Sequence, residues 1–193
     1  MAYLGLEPTP HCLMPLIEEI EERTKRLTGG LDDRALGWRP PDGGWSVAQV
    51  FEHLVMGNEL YFPVMRGLLA DVTPASPGEA PPWRPSFFGR LLIRSLRPVS
   101  RRKLPTTSKL KPGLTVRDGV INEFLRTMRD TSDIIWKAHG LDLRRLRMTS
   151  PVSSLVRGLN LGDAFIIIVV HAQRHLGQIE RVQAATGFPR AAA

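Results

Sequence analysis

The fold is decided by the stretch FIIIVVHAQRHLGQIERVQ, which occupies residues 165–183. Its first six residues are aromatic or β-branched and would also suit a buried strand. The pattern continues unbroken to Gln183, however, and the following Gly187-Phe188-Pro189 is typical of a helix end. Because this length exceeds that of an ordinary strand, we predict one long helix, and its dense apolar run indicates burial on several sides.

The second predicted helix has the clearest start in the chain. Ser46 and Gln49 form an S-x-x-Q capping box, in which each side chain can bond the backbone N–H of the other residue. Trp45 precedes the cap and is expected to pack against the first turns. The helix should reach Leu69, with a kink or an interruption at Pro63.

Two further long helices and one short helix follow from the apolar spacing. One long helix is predicted over about residues 11–27. Another begins near Thr115, which forms a cap-like pair with Asp118, and ends near Gly140. Residues 87–96 favour a short amphipathic helix. No pair of strands is convincing, so the sequence predicts an all-α fold.

The four long helices predict a four-helix bundle. We expect a single domain over residues 1–193, with a core over about residues 8–187. A long insertion, rich in proline and arginine, should occupy about residues 72–114 between the second and third helices. No apolar run reaches the roughly 18 residues of a membrane span, residues 1–15 lack a signal-peptide pattern, and Cys12 is the only cysteine. We therefore expect a cytoplasmic protein with no membrane partner.

The net charge of +7 comes from one segment. Nine basic residues lie between Arg84 and Lys111, and the remaining 17 basic residues are outnumbered by 19 acidic ones. Such a patch can attract anions, although a solvated face or a loop over the bundle end is the more ordinary interpretation. Nucleic acid is not the partner we expect. The anion-binding candidates are Arg90, Arg94, Arg97, Arg101 and Arg102.

Three histidines form the candidate metal site. His171 and His175 are four residues apart, so a helix places both imidazoles on one face. His53 lies on the apolar side of the second helix, and metal sites in bundles are built from facing helices. Taken singly, each could instead be a surface or a hydrogen-bonded core histidine. Ala172 stands where a zincin metalloprotease needs glutamate, so that mechanism is excluded.

The two histidine-bearing segments resemble the DinB-like superfamily. Residues 44–54 read GWSVAQVFEHL, and residues 171–179 read HAQRHLGQI. They match the family's W-S-x-x-x-x-x-x-H-L start of the second helix and its H-x-x-x-H-x-x-Q-[IL] pattern on the last helix. The family consists of four-helix bundles related to the damage-inducible DinB protein and to bacterial low-molecular-weight-thiol transferases.

The resemblance implies a site for one divalent ion, zinc or nickel, held by His53, His171 and His175. Three protein ligands leave an open position for water or substrate. The implied activity is that of a metal-dependent enzyme on a small molecule, with a low-molecular-weight thiol as co-substrate in S-transfer, as in bacillithiol and mycothiol transferases. Hydrolysis is the close variant. The long insertion departs from the family and leaves the substrate open.

Other roles stay open on the sequence alone. Gln49, Asn58 and Gln178 are candidates for contacts to the metal-binding rings or to a substrate, against the simpler reading of helix surface and capping. No catalytic base is identified, and the chain is a candidate homodimer. The alternative function is a non-catalytic metal-binding or stress-response module whose basic insertion contacts an acidic partner.

Overall fold

Six α-helices make up most of the computed structural model, which describes residues 10–70, 72, 83–96, 106–115 and 117–189. The helices are α1 (Met14–Thr28), α2 (Asp33–Gly37), α3 (Val47–Ala70), α4 (Phe87–Leu96), α5 (Val120–Lys137) and α6 (Leu161–Gln183). Within these ranges the only strands are β1 (Arg147–Met148) and β2 (Leu159–Asn160), which pair antiparallel. The all-α prediction is confirmed, except that this short pair was not expected.

Helix α3 begins at the predicted capping box. The Ser46 N–H donates to Gln49 Oε1 at 3.1 Å, and the Gln49 N–H donates to Ser46 Oγ at 3.2 Å. The helix runs without interruption through Pro63 to Ala70, so of the expected kink or interruption the interruption is absent. Pro63 has no N–H for the carbonyl of Glu59, but both residues are exposed, and water can satisfy that carbonyl.

Helix α5 starts later than the sequence predicted. It begins at Val120 rather than near Thr115, and no side chain caps it. The preceding Gly119 has φ 70°, a left-handed conformation that stops the helical path from extending backwards. The pair Thr115 and Asp118 therefore lies outside the helix, and that predicted cap is wrong.

Helix α6 starts earlier than predicted, at Leu161, because of a second capping box. The Asn160 side chain accepts from the Asp163 N–H at 2.9 Å, and Asp163 Oδ2 accepts from the Asn160 N–H at 3.0 Å. All ten residues from Leu161 to Val170 are buried, as the dense apolar run indicated. Helix α1 also begins slightly late, at Met14, after a 3₁₀ turn over Pro10–Leu13.

The four long helices pack on one another around a shared apolar core. Helix α3 contacts α5 and α6, and α1 contacts the same two helices. The buried apolar side chains form one cluster that includes Ile17, Phe51, Phe124 and Phe165. The short helix α4, predicted over these same residues, lies on the outer side of α6. None of the described helices is long and apolar enough to span a bilayer.

Candidate metal centre

His53, His171 and His175 come together where α3 packs against α6. One nitrogen from each imidazole lies within 4.8 Å of those of the other two, so the three rings could hold one metal ion. The Nε2 atoms of His53 and His171 are 3.2 Å apart. The ring planes meet at 61° to 89°, with centroids 4.5 to 5.0 Å apart, so the rings face a common point instead of stacking.

Two of the rings are oriented by oxygen acceptors on their outer side. His53 Nδ1 lies 2.8 Å from the Leu110 carbonyl oxygen. His175 Nδ1 lies 2.8 Å from Gln178 Oε1. Because these oxygens accept, each Nδ1 carries the proton, and each Nε2 keeps its lone pair for a metal. Hydrogen bonds of this kind fix the tautomer and ring orientation of metal-binding histidines.

The geometry of His171 gives a direct test of whether a cation fits. Since His53 Nε2 bears a lone pair, His171 must direct an N–H at it when no ion is present. A cation bound between the two nitrogens would replace this hydrogen bond, because His171 could then direct a lone pair at the cation, as His53 does. His171 lies against α3 at Gly57, where an added Cβ would stand 3.8 Å from the imidazole Cε1. The three neutral nitrogens fit zinc, nickel or copper.

The electrostatics of the cluster keep all three rings neutral. Burial lowers the pKa of His53, and the Leu110 carbonyl opposes this only partly. Burial, followed by the charges of His175 and His53, holds the pKa of His171 well below its usual value. Burial and His53 lower the pKa of His175 to about 3. Unprotonated imidazole is the form that binds metal, so the site needs little deprotonation at neutral pH.

Trp45 covers one side of the cluster. Its ring centroid is 4.8 Å from that of His53, and it stacks on His175 at 6.4 Å with an interplanar angle of 19°. The sequence placed Trp45 at the start of α3, where it was expected to serve only for packing. Its ring also packs against two of the imidazoles.

The loop that precedes α5 is attached to α3 beside His53. Gln49 Nε2 donates to the Gly113 carbonyl at 2.6 Å, and the Gly113 N–H donates to Glu52 Oε2 at 3.1 Å. These bonds hold the segment that supplies the Leu110 carbonyl. Gln49 therefore supports the site through the loop. Sequence reasoning missed Leu110, because every residue offers the same carbonyl and no side chain identifies it.

The Asn58 side chain bonds to a residue outside the histidine cluster. Its amide donates to Thr127 Oγ1 on α5 at 2.9 Å, and the residue is 1% exposed. It therefore links two helices, and a contact of Asn58 with the rings or a substrate stays a prediction. Gln178, by contrast, bonds His175 directly.

The arginine candidates divide into two groups. Arg90 and Arg94 are exposed on α4, whereas the other three, Arg97, Arg101 and Arg102, lie outside the described residues. An arginine that the sequence did not single out acts electrostatically on the histidines. Arg174, between His171 and His175 in the chain, is a smaller contributor to the lowered pKa of both.

The cluster contains no fourth histidine, cysteine or acidic ligand among the described residues. The chain is therefore a helical protein with a histidine cluster, between two of its helices, that could hold a metal ion. The chain belongs to the DinB superfamily, whose family model matches residues 16–179. This confirms the family predicted from the two histidine-bearing segments. No curated protein and no solved structure matches the chain significantly.

Proposed function

We propose that the chain is a metal-dependent enzyme that acts on a small molecule by thiol S-transfer or by hydrolysis. The observation that carries the proposal is the convergence of His53, His171 and His175, with the outer nitrogens of two rings bonded to protein oxygens. Three imidazoles and no fourth protein ligand among the described residues favour an open coordination position, which is the arrangement of catalytic sites.

Zinc or nickel is the proposed ion, because neutral imidazole suits both. Bound there, such an ion would act as a Lewis acid that lowers the pKa of a thiol or a water molecule. The protein's own residues orient the imidazoles and shape the surroundings of the ion. Leu110 and Gln178 hold the ligand rings, Trp45 excludes water from one side, and Arg174 adds positive charge beside the histidines. That charge favours a co-substrate that reacts as an anion, such as a thiolate.

The helical fold and the family membership also support the proposal. We propose that α1, α3, α5 and α6 form the four-helix bundle of the superfamily, as one cytoplasmic domain. The chain between α3 and α5, including α4, would then be an insertion beside the site. Within the described residues of this insertion, the Leu110 carbonyl bonds a histidine.

Metal content and turnover test the proposal separately. The purified full chain, incubated with zinc or nickel and desalted, should retain about one ion per chain, because three ligands converge on one point. The variant His171→Ala/His175→Ala should retain almost none, while His139→Ala, an exposed histidine elsewhere, should match the wild type. Equal metal in the double variant and the wild type would contradict the site.

The enzymatic part of the proposal needs its own assay. Loaded wild-type protein is tested on thiols paired with electrophiles and on simple esters and amides. We expect turnover by the loaded wild type. This turnover should disappear when a chelator removes the ion, and it should be absent in His171→Ala/His175→Ala. A protein that holds its ion but turns over none of these substrates would favour the non-catalytic module instead.

A further inference from the structure

Helix α4 exposes an unusual concentration of large apolar side chains. Phe87 is 69% exposed, Phe88 43% and Leu91 61%. Only three other large apolar residues are comparably exposed in the described part of the chain, and they are scattered: Leu114, Trp136 and Leu155. Single exposed apolar residues are ordinary, whereas a contiguous patch marks an interaction surface.

The charged residues of α4 and of the described residues just before it are all arginines. Arg84, Arg90 and Arg94 are exposed on and next to α4. No acidic residue occurs between Ala80 and Arg117 in the sequence, so no carboxylate from this stretch neutralises them. Aromatic and aliphatic side chains flanked by arginines are the composition of helices that lie in a membrane interface.

The opposite face of α4 is firmly attached to the start of α6. Trp83 Nε1 donates to Asn160 Oδ1 at 2.7 Å, and the Ser86 N–H donates to Asp163. Gly89 packs so closely on Asp163 that a Cβ there would collide with the carboxylate. The exposed phenylalanines therefore belong to a helix whose inner side is already packed, and they cannot turn inwards without breaking these bonds.

We propose that this face of α4 docks on the surface of an anionic lipid bilayer, a peripheral contact that departs from our expectation of no membrane partner and needs no membrane-spanning helix. A second copy is disfavoured, because a twofold interface through this patch would set its arginines against one another. The patch is formed by side chains of a single helix, α4. A folded protein would need a matching pocket for its side chains, whereas a bilayer interface accepts protruding aromatic groups and supplies negative headgroups for the arginines.

Vesicle cosedimentation with the full chain tests this proposal. The probes are vesicles of phosphatidylcholine alone and vesicles with about 30% phosphatidylserine, a lipid of negative headgroup. The wild type should bind the mixed vesicles at least about 10-fold more tightly than the neutral ones, and added salt should weaken binding. Arg90→Gln/Arg94→Gln should lose about 30-fold in affinity for the mixed vesicles. Phe87→Ser/Leu91→Ser should lose at least about 10-fold.

Matched variants on other faces serve as controls. Leu114→Ser/Leu155→Ser removes two exposed leucines, and Arg34→Gln/Arg157→Gln removes two exposed arginines. Both should bind within about twofold of the wild type, because scattered surface residues lie outside the patch. Absent binding, equal binding to both vesicle types, or full binding by the α4 variants would overturn the proposal. So would binding of duplex DNA that depends on Arg90 and Arg94 but not on Phe87 and Leu91.

Discussion

His175 illustrates how a single side chain decides the chemistry of the site. Its Nδ1 donates to Gln178, three residues further along α6, so the ring offers Nε2 to the centre. The spacing H-x-x-Q therefore has a physical reason, since residues three apart share a helix face. The same hydrogen bond raises the basicity of Nε2, the nitrogen that we propose binds the ion.

Removing Gln178 should weaken metal binding without abolishing it. For Gln178→Ala we expect a Kd about 10- to 100-fold higher, because the His175 ring loses its fixed orientation. The Kd is measured by competition with a chelator of known affinity. Gln173→Ala, on the same helix, is the control and should stay near the wild-type value. An unchanged Kd in Gln178→Ala would show that the contact does not support the ligand.

The lowered pKa values of the three histidines predict acid sensitivity of the metal-free protein. A folded pKa below the unfolded value means that the unfolded chain binds more protons, so stability is full above about pH 6.5 and falls below it. For His175 the loss should continue towards its folded pKa of about 3. Each histidine contributes up to about 1.4 kcal/mol per pH unit.

Denaturant unfolding from pH 7.5 downwards measures this slope. Burial raises the pKa of Asp163, which therefore contributes a slope of the opposite sign. Comparing the wild type with His171→Ala/His175→Ala removes this common contribution. The difference between the two slopes is then due to His171 and His175. The wild type should lose free energy of unfolding more steeply between about pH 6.5 and 4 than the variant. Parallel curves would contradict the neutral, buried state of the cluster.

At the scale of elements, the close packing of α4 on α6 can be tested at Gly89. Gly89→Ala places a methyl group against the buried Asp163 carboxylate, and we expect a loss of about 1–3 kcal/mol in the free energy of unfolding. Gly67→Ala is the control, because that helical glycine has open space around it, and it should gain up to about 1 kcal/mol. Both values come from denaturant unfolding. Equal changes in the free energy of unfolding for the two variants would contradict the close packing of α4 on α6.

The starts of the helices show what a sequence can and cannot predict. The box at Ser46 and Gln49 was recognised because its residue types are diagnostic at that spacing. The box at Asn160 and Asp163 was missed, since N-x-x-D is a less distinctive pattern. Thr115 and Asp118 had suitable residue types, but the left-handed Gly119 stops α5 before it reaches them. A local residue pattern predicts a cap. The cap does not form, however, when the backbone between these residues and the helix adopts a non-helical conformation.

At the scale of the whole molecule, the site joins residues that are far apart in the chain. His53 and His171 are separated by 118 residues, and facing helices together with the family resemblance predicted their meeting. The Leu110 carbonyl could not be predicted, because its place depends on how the chain returns to α3 and not on its side chain. Long-range backbone contacts of this kind carry no residue-type signal.

Binding an ion between α3 and α6 should stabilise the entire fold. At a free metal concentration of about 100 times Kd, linkage gives about 2.7 kcal/mol, which corresponds to a rise in Tm of about 5–10 °C for a domain of this size. Thermal unfolding of the wild type with and without zinc measures the shift. His171→Ala/His175→Ala should show almost none. A similar shift in that variant would mean that zinc binds elsewhere.

We propose that three imidazoles hold one ion and leave it open to a further ligand. X-ray absorption spectroscopy of the zinc- or nickel-loaded full chain tests this most directly. The spectrum should show three histidine nitrogens at about 2.0–2.1 Å from the metal and an additional light ligand that exchanges when a small thiol is added. A spectrum with fewer than three imidazoles, or with a fourth ligand from the protein that no thiol displaces, would contradict it.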